Sequence, residues 1–121
     1  MSGGENRKGM AMKMPNGENA IVDVRKVRDY CLSLTHPRGR HKARVFESAL
    51  GVTKANFEDL CNALKKAARD VHATPGVSDR YGSRYIIDFE FELNEKAATI
   101  RSCWIILETE AAPRFVTCFV L

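Results

Sequence analysis

No apolar run in this chain approaches the ~20 residues that cross a bilayer as a helix. The basic N-terminus, with Arg7, Lys8 and Lys13, has no apolar core behind it, so it does not read as a secretory signal. Both absences point to a cytoplasmic protein with no membrane partner. The four cysteines, Cys31, Cys61, Cys103 and Cys118, contain no CxxC pair, and no histidine stands at zinc-finger spacing from them. Buried free thiols in a reducing compartment are the expectation, with no metal. There is no P-loop, dinucleotide fingerprint, GxSxG or HExxH, and no cofactor is expected. No internal repeat is visible.

What is present is an ordinary globular composition. The chain has 121 residues, 45% hydrophobic and 28% charged. That length fits one domain, which buries roughly two-thirds of its unfolded surface and needs neither metal nor disulfide to hold it. All four methionines lie at 1, 10, 12 and 14, among Gly3, Gly4, Gly9, Pro15 and Gly17. Residues 1–17 lack any period and are expected to be a flexible tail, with a single domain over 18–121.

Three helices are predicted first. Asp23 caps a short one to about Ser33, with Val24, Val27, Cys31 and Leu34 as its apolar stripe. Pro37 interrupts. A second runs from Gly39 to Leu50, with Ala43, Phe46, Ala49 and Leu50 inward and Gly51 as terminator. Thr53 caps a third, Lys54 to Val71, burying Phe57, Leu60, Cys61, Leu64 and Ala68. Residues 72–83 are rich in turn formers and read as an exposed loop. The period then falls to two: Tyr85, Ile87, Phe89, Phe91 and Leu93 alternate with Ile86, Asp88, Glu90 and Glu92. Strands follow at Ala98–Glu108 and Arg114–Leu121. The expectation is an α+β fold: two or three N-terminal helices packed on one face of a three- to four-stranded antiparallel sheet. The other face would be partly open.

Net charge is +4, unevenly spread. Residues 1–46 hold ten Lys/Arg against four Asp/Glu, and residues 47–121 hold nine against eleven. The densest block, His36-Pro37-Arg38-Gly39-Arg40-His41-Lys42-Ala43-Arg44, has no acid and straddles a helix start. A helix N-terminus with nearby cations suits a phosphate oxygen. A solvated loop and helix face with flat-packed arginine stems explains the same residues. A second group lies on the strands: Arg84, Tyr85, Arg101, Ser102, Arg114 and Thr117. Arg101, between Ile100 and Trp104, needs an anion, which is either a phosphate or Asp88 or Glu90 on the neighbouring strand. Thr117 could hydrogen-bond a phosphate or serve simply as a good β-former. The row of Asp88, Glu90 and Glu92 could ligate Mg²⁺, but i, i+2, i+4 acids mostly mark a wet strand face. The aromatic residues fall at inward positions and read as core before base-stacking platforms.

The blocks Pro15-Asn16-x-Glu18-Asn19-Ala20, Arg25-Lys26-Val27-x-Asp29-Tyr30-x-Leu32 and His36-Pro37-x-Gly39-x-x-Lys42-Ala43-x-x-Phe46 resemble an uncharacterised bacterial domain family. So do Tyr81-Gly82-x-Arg84-Tyr85-x-x-Asp88, Arg101-Ser102-x-Trp104-Ile105 and Pro113-Arg114-x-Val116-Thr117. Similar modules occur free-standing and as C-terminal domains of polymorphic toxins. The layout is similar to that of metal-independent RNase toxins of the barnase, EndoU, colicin and RelE type. The resemblance implies His36, Lys42, Arg101 and Thr117 as catalytic positions. Arg38, Arg40, His41, Arg44, Arg84 and Arg114 are expected to hold phosphate. The expected function is RNA cleavage by 2′-OH transesterification, with RNA as partner. The alternatives are a non-catalytic module binding a small acidic protein encoded nearby, and nucleic-acid binding without cleavage.

Overall fold

A computed structural model describes residues 12–121. Five strands form one antiparallel sheet in sequential order: β1 (Met12–Lys13), β2 (His72–Asp79), β3 (Gly82–Leu93), β4 (Lys96–Leu107) and β5 (Arg114–Val120). Two α-helices precede most of it, α1 (Arg40–Leu50) and α2 (Phe57–Asp70). Ahead of α1 lie a 3₁₀ turn (Gly17–Asn19) and a π-helical turn (Lys26–Cys31). The α+β expectation holds, with five strands rather than three or four. Among the described residues no helix is long and apolar enough to cross a membrane.

Local chemistry accounts for the helix ends. Gly51 adopts φ +69° and ends α1: its N–H donates to the Glu47 carbonyl and the Val52 N–H to that of Phe46. Both Val52 and Phe46 are fully buried, which is the hydrophobic contact that accompanies this cap. Thr53 and Asn56 cap each other's backbone, with the Thr53 N–H reaching Asn56 Oδ1 at 2.8 Å and the Ala55 N–H reaching Thr53 Oγ1 at 3.2 Å. The first predicted helix is wound differently. Its π turn buries Val27, Cys31 and Leu32 and leaves Val24 and Leu34 exposed. Val24 precedes the π turn and Leu34 follows it, so the helix is shorter than the expected stripe.

The hairpin of β3 and β4 is the backbone of the sheet, in unbroken register from Gly82↔Leu107 to Leu93↔Lys96. Asn94 and Glu95, with φ of 50° and 71°, make its two-residue turn. The helices and Ile87, Phe89, Phe91, Ile100, Trp104, Phe115 and Cys118 share one core on one face of the sheet. Ser102 is buried there too; it accepts from Trp104 Nε1 and donates to the Ile87 carbonyl.

Two expectations fail here. The stretch 72–83 is not a loop: residues 72–79 form β2, pairing with β3 from Thr74↔Ile86 to Asp79↔Gly82. Almost all of β2 is exposed, so it shows no alternation, and its irregular register between Pro75 and Ser78 accommodates the proline. The expected tail is also partly structured. Residues 1–11 lie outside the described residues, but Met12 and Lys13 pair with Ala73 and His72, and Met14 is buried in the core. Gly17 packs so closely on α2 that a Cβ there would lie 2.0 Å from the Ala68 carbonyl oxygen. A short apolar anchor of one methionine has no period for a sequence reading to detect.

Candidate nucleic-acid interface

β5 lies at the end of the sheet, and a register irregularity opposite Cys103 and Trp104 makes Val116 an extra residue. Beyond it, Thr117 stands opposite Cys103 and Phe119 opposite Arg101. The intervening Ser102 and Cys118 are buried, so these four residues share the face that the helices leave uncovered. From the first turn of α1, Lys42 places its Nζ 4.4 Å from the Phe119 ring centroid. Lys42, Thr117 and Arg101 are thus gathered around Phe119.

Each of these side chains has a definite environment. Arg101 makes a bidentate ion pair with Asp88, directly across the strand pair, at 2.9 and 2.8 Å. That guanidinium holds the Asp88 carboxyl below its ordinary range. Thr117 Oγ1 lies 3.7 Å from Cys31 Sγ on the π turn. The Cys31 thiol is lowered to about 7 by a hydrogen bond from the Cys118 thiol, the Cys118 N–H, the Thr117 hydroxyl and the Lys42 charge, against the opposing effect of burial. Burial and the bond to Cys31 push Cys118 well up.

His36 stands apart. Its Nδ1 accepts the N–H groups of Arg38 at 3.1 Å and Gly39 at 3.3 Å, and its carbonyl accepts from Arg40. Its ring meets Tyr30 edge-on, 4.6 Å between centroids. It therefore caps the turn into α1, which lacks any other side-chain cap at its N-terminus. With Nδ1 accepting, the proton of a neutral ring sits on Nε2. Among the described residues His36 makes no hydrogen bond to Lys42, Arg101 or Thr117.

The expected phosphate ligands divide in two. Arg84 pairs with Asp79 at 3.0 Å and Arg114 bidentately with Glu110, so both already hold carboxylates. Arg40 donates to the Pro37 carbonyl. Among the described residues, none of Arg38, Arg40, Lys42 and Arg44 pairs with a carboxylate, and His41 is exposed beside them. Among the described residues the α1 start is therefore a dense cluster of uncompensated cations. No group of three or more His, Cys, Asp or Glu among the described residues could hold a metal ion. Phe119, Cys31 and Cys103 were not singled out as site residues from sequence. Phe119 alone left a signal, two residues after Thr117 on the same strand face.

Residues 13–121 match a family described as Domain of unknown function (DUF6883). The chain belongs to that family. This meets the expectation of an uncharacterised domain family. No curated protein matches the chain. Among solved structures, a chain of a contact-dependent growth inhibition toxin–immunity protein complex from Klebsiella pneumoniae 342 is similar, at 22% identity and a TM-score of 0.66. The likeness covers 84% of this chain and 99% of that one. At that identity it establishes a shared fold.

Proposed function

We propose that this DUF6883 domain is a toxin-type module that binds RNA across the α1 start and the uncovered face of β4 and β5, and cleaves it without a metal. The observation that carries the reading is Lys42 poised over Phe119 beside Thr117, next to cations that pair with no carboxylate among the described residues. An aromatic ring with an ammonium group above it can take a base and its phosphate together. In the reaction the RNA 2′-OH loses its proton and attacks the adjacent phosphorus. The 5′-oxygen leaves and takes a proton from water, giving a 2′,3′-cyclic phosphate. Lys42 neutralises the developing charge, and Thr117 orients a phosphate oxygen. Arg101 contributes if a phosphate displaces Asp88. His36 is the base of this scheme, and it must first release its Nδ1 from the Arg38 and Gly39 amides.

That last requirement favours a second reading, RNA binding without cleavage, in which His36 only shapes the turn. On either reading the cationic surface is also one that an acidic neutralising protein would cover, by analogy with the toxin–immunity complex. Incubating the protein with total RNA in EDTA separates them. Cleavage to cyclic-phosphate ends, lost in Lys42→Ala and His36→Asn, supports the enzyme. Salt-sensitive binding with intact RNA supports the second reading. Absence of both binding and cleavage at micromolar protein refutes both.

A further inference from the structure

β3 has twelve residues, but β2 pairs with only its first half. Beyond Thr74↔Ile86 the partners separate, and Ala73 and His72 pair with β1. From Asp88 to Leu93, β3 has β4 on one side and, among the described residues, no strand on the other. The two-residue turn decides which backbone groups are left over. Leu93↔Lys96 closes it as a hydrogen-bonded pair, so odd-numbered residues of β3 bond to β4. The Leu121 N–H reaching past β5 to the Thr99 carbonyl fits this alternation, since Thr99 faces Glu90 across the other side. The N–H and C=O groups of Asp88, Glu90 and Glu92 therefore point outward along an open edge.

The surroundings of that edge are specific. Between it and α2 lies a groove of about 430 Å³, floored by Phe89 and Phe91 and walled by Ala63, Ala67 and Val71, with Lys66 and Asp70 beside them on α2. On the opposite face the side chains of Asp88, Glu90 and Glu92 form an acidic row. Asp88 is engaged by Arg101 and Glu90 accepts the Thr99 hydroxyl, while Glu92 has no ion-pair partner among the described residues. Natural edges are usually guarded by proline, lysine or a bulge. β2 carries such guards in Pro75 and its irregular register. On the face away from α2, the described β3 edge carries charge of one sign, which repels a second copy of itself and attracts the opposite sign.

We propose that the Asp88–Glu92 edge of β3 is a docking site for an extended segment of a partner protein, which adds as a sixth strand. The segment carries Lys or Arg at alternate positions, facing Glu90 and Glu92. Small apolar residues between them enter the groove against Phe89 and Phe91. Main-chain hydrogen bonds supply the adhesion and the alternation supplies the selectivity. The edge adjoins the β4–β5 face through the Asp88–Arg101 pair, but docking runs through Glu90 and Glu92 and does not depend on RNA cleavage.

The test is an NMR titration of the full chain with a capped heptapeptide of alternating lysine and valine. The Glu90 and Glu92 amides are expected to shift and to exchange about tenfold more slowly, while odd-numbered β3 amides, already bonded to β4, hardly change. Glu90→Lys/Glu92→Lys, at two exposed side chains, is expected to weaken binding about tenfold or more. A glutamate–valine heptapeptide is expected not to bind. Four results overturn the proposal: no binding at millimolar probe, equal binding of the charge-reversed probe, protection along 74–79 instead, or Glu90 and Glu92 amides already protected without probe. In the last case, deleting residues 1–11 and diluting the sample distinguish the chain's own N-terminus from a second copy as the true occupant.

Discussion

His36 gives the sharpest test, because its structural and catalytic roles can be separated by two substitutions. The ring does two things for the fold: Nδ1 accepts two backbone N–H groups at the entry to α1, and the ring packs edge-on against Tyr30. A helix-entry cap of this kind contributes about 1 kcal/mol, and an edge-to-face aromatic pair about 0.5–1.5 kcal/mol. His36→Ala removes both and should cost about 1.5–2.5 kcal/mol by these values. His36→Asn places an amide oxygen close to the position of Nδ1, so it keeps an acceptor for the turn and loses the ring. It should cost only about 0.5–1.5 kcal/mol. Urea denaturation with a shared m-value measures both. Equal losses in the two variants would refute the capping argument. The same pair reads out chemistry: neither side chain can take a proton near neutral pH, so a catalytic His36 loses cleavage in both. A capping His36 loses RNA binding only in the alanine variant.

Phe46 is fully buried, and Phe46→Ala should cost about 3–5 kcal/mol in the same assay. Met14→Ala should cost about 2–4 kcal/mol, and a loss under about 0.5 kcal/mol would return residue 14 to the flexible tail. Arg101→Ala breaks a bidentate but solvent-exposed pair, and should lower the urea midpoint only slightly. Lowering the pH removes the same contribution: the depressed Asp88 carboxyl stabilises the fold above its unfolded-state value, and the gain disappears as the pH falls through the folded one. Cys31 obeys the same sign at higher pH. Its folded thiol titrates near 7 against an ordinary 9.0, so stability should rise between those values, and Cys31→Ala should flatten the rise in chemical denaturation.

Much of the fold was legible because it rests on local rules. The β3–β4 hairpin follows from period-two alternation, α1 from a Gly51 terminator, and α2 from the Thr53 cap and a 3.6-residue stripe, while the part of Asn56 in that cap and the two-residue turn came from the structure. The concentration of cations at the α1 start was equally plain, since charge is carried by residues whatever the chain does between them. Long-range packing decided the rest. An exposed edge strand buries too little to write a pattern, which hid β2. A single methionine anchored the segment that looked like a tail, and the short π turn left Val24 and Leu34 outside it and exposed. The sequence set two carboxylates, Asp88 and Glu90, before Arg101, and only the register of β3 against β4 chose Asp88 between them. The sequence also brought His36 and Lys42 within six residues, yet backbone amides claimed the Nδ1 of one while the other reached across to Phe119. Residue types and their spacing set the secondary structure and the sign of the charge. Which side chains meet depended on strand register and helix winding, properties of the whole chain packed at once.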